Sequence, residues 1–144
     1  MGICWSPELA IFCVVGNTSK VMTSPDGINW NLHTIPVIYD WHNVCWFPEL
    51  GIFCAVVTTE MGGNTGNRIM TSSDEITWTL RYLGILSASF FVICWSPELS
   101  IFFIVSSGSS LQTSFSYDGI NWIVGIESIS NINNFLKIML VFTI

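Results

Sequence analysis

Short runs rich in Ile, Val, Phe, Trp and Cys alternate with clusters of Pro, Asp, Gly and Asn along the chain. Runs of this length, punctuated by turn formers, predict β-strands. In the first stretch they fall at about residues 3 to 6, 11 to 15, 20 to 23 and 29 to 34. The first pair reads as a hairpin closed by Pro7-Glu8-Leu9-Ala10, where Pro pre-sets the turn dihedral. That register places Trp5 opposite Phe12 and Cys4 opposite Cys13. The second pair is closed by Asp26-Gly27, since an Asp side chain bonds the amides of its own turn and Gly tolerates a positive φ.

The same pattern returns twice. Ile3-Cys4-Trp5-Ser6-Pro7-Glu8-Leu9 is followed by Val44-Cys45-Trp46-Phe47-Pro48-Glu49-Leu50 and Ile93-Cys94-Trp95-Ser96-Pro97-Glu98-Leu99. Each copy is trailed by a second motif: Thr23-Ser24-Pro25-Asp26-Gly27-Ile28-Asn29-Trp30, Thr71-Ser72-Ser73-Asp74-Glu75-Ile76-Thr77-Trp78 and Phe115-Ser116-Tyr117-Asp118-Gly119-Ile120-Asn121-Trp122. The first-motif tryptophans are 41 and 49 residues apart and the second-motif ones 48 and 44. A period of about 40 to 50 residues with four strands per unit is that of a β-propeller blade. The fold class expected is therefore all-β and β-propeller-like, with three four-stranded antiparallel blades at about residues 3–35, 44–82 and 93–126.

The Ser-x-Asp-Gly-x-x-Trp turns resemble a shortened Asp-box of the sialidase-like (BNR) β-propellers, which lies between the third and fourth strands of a blade. The paired motifs also resemble repeat proteins encoded by large DNA viruses. The likeness covers residues 3 to about 124, with Glu75 in place of the turn glycine and Tyr117 where the first unit has Pro25. The resemblance implies a structural role for Asp26, Asp74 and Asp118, and a virion or host-cytoplasm setting. Propellers close with roughly 4 to 8 blades. Three therefore call for a partner, and a homodimer making a six-bladed ring is expected. The tail, residues 127–144, breaks the repeat and is expected to form a strand or a short helix.

Composition narrows the function. Of the 144 residues 51% are hydrophobic and 10% charged, and the formal net charge is −6. This lacks the basic footprint of a nucleic-acid binder. The runs Phe90 to Trp95 and Ile138 to Phe142 fall far short of the about 20 residues of a membrane span. The N-terminus lacks the basic and apolar regions of a secretory signal, so an intracellular location is expected. Gly2 with Ser6 fits the loose myristoylation pattern, but Ser6 belongs to the repeat.

Four of the five cysteines occupy repeat positions, which points to buried thiols, with cross-strand disulfides as the alternative. No Cys or His cluster has zinc-site spacing, and neither metal nor cofactor is expected. Six of the ten acids, Glu8, Glu49, Glu98, Asp26, Asp74 and Asp118, lie in repeat turns. Asp40, Glu60, Glu75 and Glu127 are left for any acid and base pair. Arg68 and Arg81 do not make the arginine triad of a sialidase, and His33 and His42 lack a recognisable nucleophile, so no catalytic activity is expected. The most ligand-like stretch is Tyr39-Asp40-Trp41-His42, on a connection between blades, with Arg68 in the neighbouring Gly-rich loop. Phe90 and Phe91 hold the places of Trp41 and His42 before the third unit, so packing between blades is the competing role for Trp41. A non-enzymatic binding or scaffold module with a protein ligand is the first functional expectation. A glycan-binding or degenerate glycosidase-like propeller is the second, and a decayed fragment of a longer propeller the third.

Overall fold

A computed structural model describes residues 1–17, 20–35, 37–60, 68–83, 89–107 and 113–125. The tail, residues 127–144, lies outside the described residues. Among the described residues twelve strands form three four-stranded antiparallel sheets, each a meander in chain order. Sheet 1 holds β1 (Gly2–Ser6), β2 (Ile11–Val15), β3 (Lys20–Ser24) and β4 (Asn31–Thr34). Sheet 2 holds β5 (Tyr39–Phe47), β6 (Ile52–Glu60), β7 (Arg68–Ser72) and β8 (Thr79–Tyr82). Sheet 3 holds β9 (Ser89–Ser96), β10 (Ile101–Ser107), β11 (Thr113–Ser116) and β12 (Ile123–Gly125). The leading strands β1, β5 and β9 touch across sheets, as the inner strands of propeller blades do.

The Pro-Glu-Leu loop sets the register as its length implies. Trp5 pairs Phe12 and Cys4 pairs Cys13, and the repeats give Trp46 with Phe53, Cys45 with Cys54 and Cys94 with Phe103. Each loop ends on a residue in the left-handed region, Ala10, Gly51 or Ser100. All five cysteines are free thiols.

The second motif builds a turn held by its own side chains. Asp26 Oδ1 accepts the backbone N–H groups of Ile28 at 2.8 Å and Asn29 at 2.7 Å, while Ser24 Oγ donates to it at 3.0 Å. Trp30 Nε1 donates to the Gly27 carbonyl at 3.2 Å. Because Asn29 and Trp30 are consumed by this turn, β4 begins at Asn31 rather than at the expected residue 29. Asp74 and Asp118 repeat the arrangement.

The core lies between sheets, and period-two alternation divides it. On β6, Phe53, Ala55 and Val57 face sheet 1, whereas Cys54 and Val56 face sheet 3. Sheet 2 is thus apolar on both faces, which explains the unbroken run from Ile52 to Val57. Fully burying one such side chain contributes about 1.5–3 kcal/mol.

One expectation fails here. Tyr39 to Asn43 are not a connection but the first half of β5, which pairs with an equally extended β6, Tyr39 against Glu60. The ladder shifts between Trp41 and Asn43, leaving His42 as a bulge. The bulge keeps Trp41 on the face of Val44 and Trp46 although the spacing is odd. Sheet 3 repeats it, with Phe91 passed over between Phe90 and Val92.

Candidate functional site

A meander brings the start of β5, the end of β6, the start of β7 and the end of β8 to one edge of sheet 2. That edge gathers three of the sequence-selected residues, Tyr39, Asp40 and Arg68, and adds Tyr82. The Arg68 guanidinium lies over the Tyr82 ring, 4.2 Å from its centroid, and 5.8 Å from that of Tyr39. Backbone register explains the closer contact, because Arg68 and Tyr82 are direct cross-strand partners. A cation over an aromatic face contributes about 0.5–1 kcal/mol where water has access. Tyr82 is 63% exposed while Tyr39 and Arg68 are half-buried, so the edge presents an aromatic ring held by a cation.

Asp40 is half-buried beside Tyr39, and its carboxylate accepts a hydrogen bond from Thr58 Oγ1 at 3.3 Å. Trp41 and His42 do not join this surface. Trp41 is fully buried between sheets 1 and 2, its ring 5.9 Å from that of Tyr39, and its backbone N–H donates to the carbonyl of Gly16, just past the end of β2, at 3.3 Å. Trp41 therefore supports Tyr39 from beneath. The bulged His42 turns toward sheet 3, where its ring meets Phe91 edge-on at 5.0 Å. Tyr82 escaped sequence reasoning because only strand pairing places it beside Arg68; its alternation with Leu80 along β8 was the available signal.

The opposite end of the molecule carries the Asp turns. A cleft of about 480 Å³ opens there between sheets 2 and 3, lined by Asp74, Asp118, Thr77, Thr79, Arg81 and Ile52 among others. Arg81 Nε donates to Thr71 Oγ1 at 3.3 Å. The Asp carboxylates here are committed to their turns. For Asp118, burial acts upward but is outweighed by hydrogen bonds from Asn121, Ile120 and Ser116, which bring its pKa to about 2. The Asn29 backbone N–H, then the Asn29 side chain and the Ile28 N–H, hold Asp26 well below the usual carboxylate range. Asp74 is lowered chiefly by the Thr77 backbone N–H.

Of the turn glutamates, Glu8 accepts a hydrogen bond from Trp46 Nε1 at 2.5 Å and so joins sheet 1 to sheet 2. Glu98 accepts one from Ser96 Oγ at 3.5 Å, and Glu49 is exposed. Among the described residues no group of His, Cys, Asp and Glu is arranged to hold a metal ion, and no helix is long and apolar enough to cross a membrane.

No protein-family model matches the sequence, and no curated protein is similar to it. Its fold is similar to that of a candidate glycosidase from Bacteroides thetaiotaomicron, with a TM-score of 0.52 at 16% identity, over 82% of this chain and 47% of that one. The chain thus spans about half the length of that protein. A glycoside hydrolase family 32 β-fructofuranosidase of Bombyx mori matches at a TM-score of 0.45 and 16% identity, over 79% of this chain and 31% of that one. The first likeness corrects the expectation that the chain is not an enzyme. That expectation rested on the missing arginine triad and on histidines without a nucleophile, which bear on sialidase and triad chemistry and not on glycoside hydrolysis by carboxylates. The fold adopted here is shared with a candidate glycosidase and gives no ground for excluding such chemistry.

Proposed function

We propose that the chain is a carbohydrate-recognising unit of a glycosidase-like propeller, with Tyr82, Arg68 and Tyr39 as its sugar platform. The observation that carries this reading is the exposed Tyr82 ring fixed by the Arg68 guanidinium at 4.2 Å. A sugar offers C–H faces to an aromatic ring and hydroxyls to polar groups, and a ring already held in place loses little freedom on binding. Asp40 follows Tyr39 on β5 but alternates to the other face of sheet 2, where Thr58 Oγ1 donates to it, so the platform is made by the two tyrosine rings and the cation alone. The fold shared with a candidate glycosidase and the resemblance to Asp-box propellers support the same class. The formal net charge of −6 favours neutral sugars over polyanionic ones.

Glycoside hydrolysis uses two carboxylates flanking the scissile bond. Glu60 pairs Tyr39 in the ladder and Asp40 pairs Thr59, so alternation separates the two acids and they form no such pair. The test is calorimetric titration of the full chain with a panel of neutral oligosaccharides, alongside assays of aryl glycoside hydrolysis. Binding that is lost in Tyr82→Ala and weakened in Arg68→Ala is expected. Absence of both binding and turnover across the panel would overturn the reading, as would binding that Tyr82→Ala leaves unchanged.

A further inference from the structure

The outer faces of sheets 1 and 3 carry the two halves of an interface that the molecule already builds internally. Sheet 2 presents Val44, Trp46 and Trp78 to sheet 1, and they are 3%, 7% and 5% exposed. The repeat places Ile3, Trp5 and Trp30 at the same positions on the outer face of sheet 1, at 59%, 41% and 36%. Leu32, the counterpart of the packed Leu80, is 59% exposed.

The complementary half is also repeated. Sheet 1 presents Cys4, Cys13 and Val15 to sheet 2, and sheet 2 presents Cys45, Cys54 and Val56 to sheet 3. Sheet 3 carries Cys94, Phe103 and Val105 at the corresponding places, all half-buried. The polar link has its counterparts as well. Glu8 in the Pro-Glu-Leu loop accepts the Trp46 indole N–H. Glu98 occupies the same loop position on sheet 3, and Trp5 the same strand position on sheet 1.

We propose that a second copy of this chain docks head to tail, the outer face of sheet 1 in one copy against the outer face of sheet 3 in the other. In this contact Glu98 accepts the Trp5 indole N–H across copies. The occupant is specified by the internal repeat: the surface that fits the outer face of sheet 1 is one shaped like the inner face of sheet 1 itself, and sheet 3 carries its equivalent. A head-to-tail contact either propagates or closes. Two copies of three sheets make six, within the roughly 4 to 8 blades that close a propeller, and closure covers both apolar faces.

The test is the solution mass of the full chain by light scattering after size exclusion. A species of twice 16.1 kDa is expected. Ile3→Glu and Leu32→Lys, both at exposed positions, should each convert it to the single-chain mass while far-ultraviolet circular dichroism stays that of the native sheet. Glu98→Ala should weaken dimerisation about a hundredfold, because the closed ring holds two such contacts and a charge-assisted hydrogen bond is worth about 1.5 kcal/mol. A single-chain mass for the unaltered protein would overturn the proposal, meaning that another segment of the chain covers these faces. An unbounded ladder of masses, or a dimer indifferent to both charged substitutions, would overturn it too.

Discussion

Glu75→Gly should stabilise the protein. At the corresponding turn position the other units carry Gly27 and Gly119, with φ of 73° and 70°, and Glu75 is held at 56°. The left-handed region costs a side-chain-bearing residue about 1–2 kcal/mol. Glycine returns part of that gain, because it loses about 0.5–1 kcal/mol more backbone freedom on folding. The backbone part of the change is therefore a gain of about 0.5–1 kcal/mol. The hydrogen bond from Trp78 Nε1, 3.0 Å long, ends on the carbonyl of residue 75 and survives the substitution.

The carboxylate adds a second, pH-dependent part. Burial raises the pKa of Glu75, repulsion from Asp74 adds to it, and a weaker attraction from His33 opposes them. The folded state thus holds the proton more tightly than the unfolded one, so ionisation opposes folding. This penalty is absent below the ordinary glutamate value of 4.5 and is present in full above the raised value. Thermal unfolding at pH 7 should show a midpoint about 2–4 °C higher for Glu75→Gly, with a smaller gain at pH 4. Glu75→Ala separates the two parts, since it removes the charge but keeps the left-handed backbone. A Glu75→Gly midpoint at or below that of the unaltered protein would refute the reasoning.

Gly119→Ala should cost about 2–3 kcal/mol in urea unfolding and Gly27→Ala about 1 kcal/mol, since both pay for the backbone but one also overpacks. A Cβ at residue 119 meets Ile52 Cδ1 at 2.9 Å, whereas one at residue 27 meets only Phe12 at 3.8 Å; equal losses would contradict this. The depressed pKa values of Asp26, Asp74 and Asp118 contribute stability that is present above the ordinary value of 3.8 and is lost as pH falls through each lowered value, about 2 for Asp118. Melting midpoints from pH 5 to pH 2 should therefore fall steeply, and less so in Asp118→Asn. Burial pushes the Cys4 thiol up to about 12 and raises Cys13 and Cys54 further. A thiol-specific disulfide reagent at pH 8 should reach Cys13 and Cys54 only after denaturant is added, and rapid labelling of either in the folded protein would contradict their burial.

Local chemistry was legible in the sequence wherever a few consecutive residues decide the structure. The Pro-Glu-Leu loop has one length, so Trp5 meets Phe12 and Cys4 meets Cys13. The Ser-x-Asp turns carry their own hydrogen-bond donors and acceptors, so their place between third and fourth strands followed from the motif. Repetition of both at blade spacing then led to three four-stranded sheets.

What tertiary structure alone decided depends on contacts between strands far apart in sequence. The bulge at His42 exists because β5 and β6 must pair while Trp41, Val44 and Trp46 all face sheet 1; neither demand is visible within β5. Arg68 and Tyr82 become neighbours only through the register of β7 with β8, and Tyr39 joins them only across the width of the sheet. Stacking of sheets likewise divided Cys54 from Phe53, sending adjacent residues into separate cores. A two-residue period can be read from a strand, but which neighbour each face meets is set by the order in which the sheets pack.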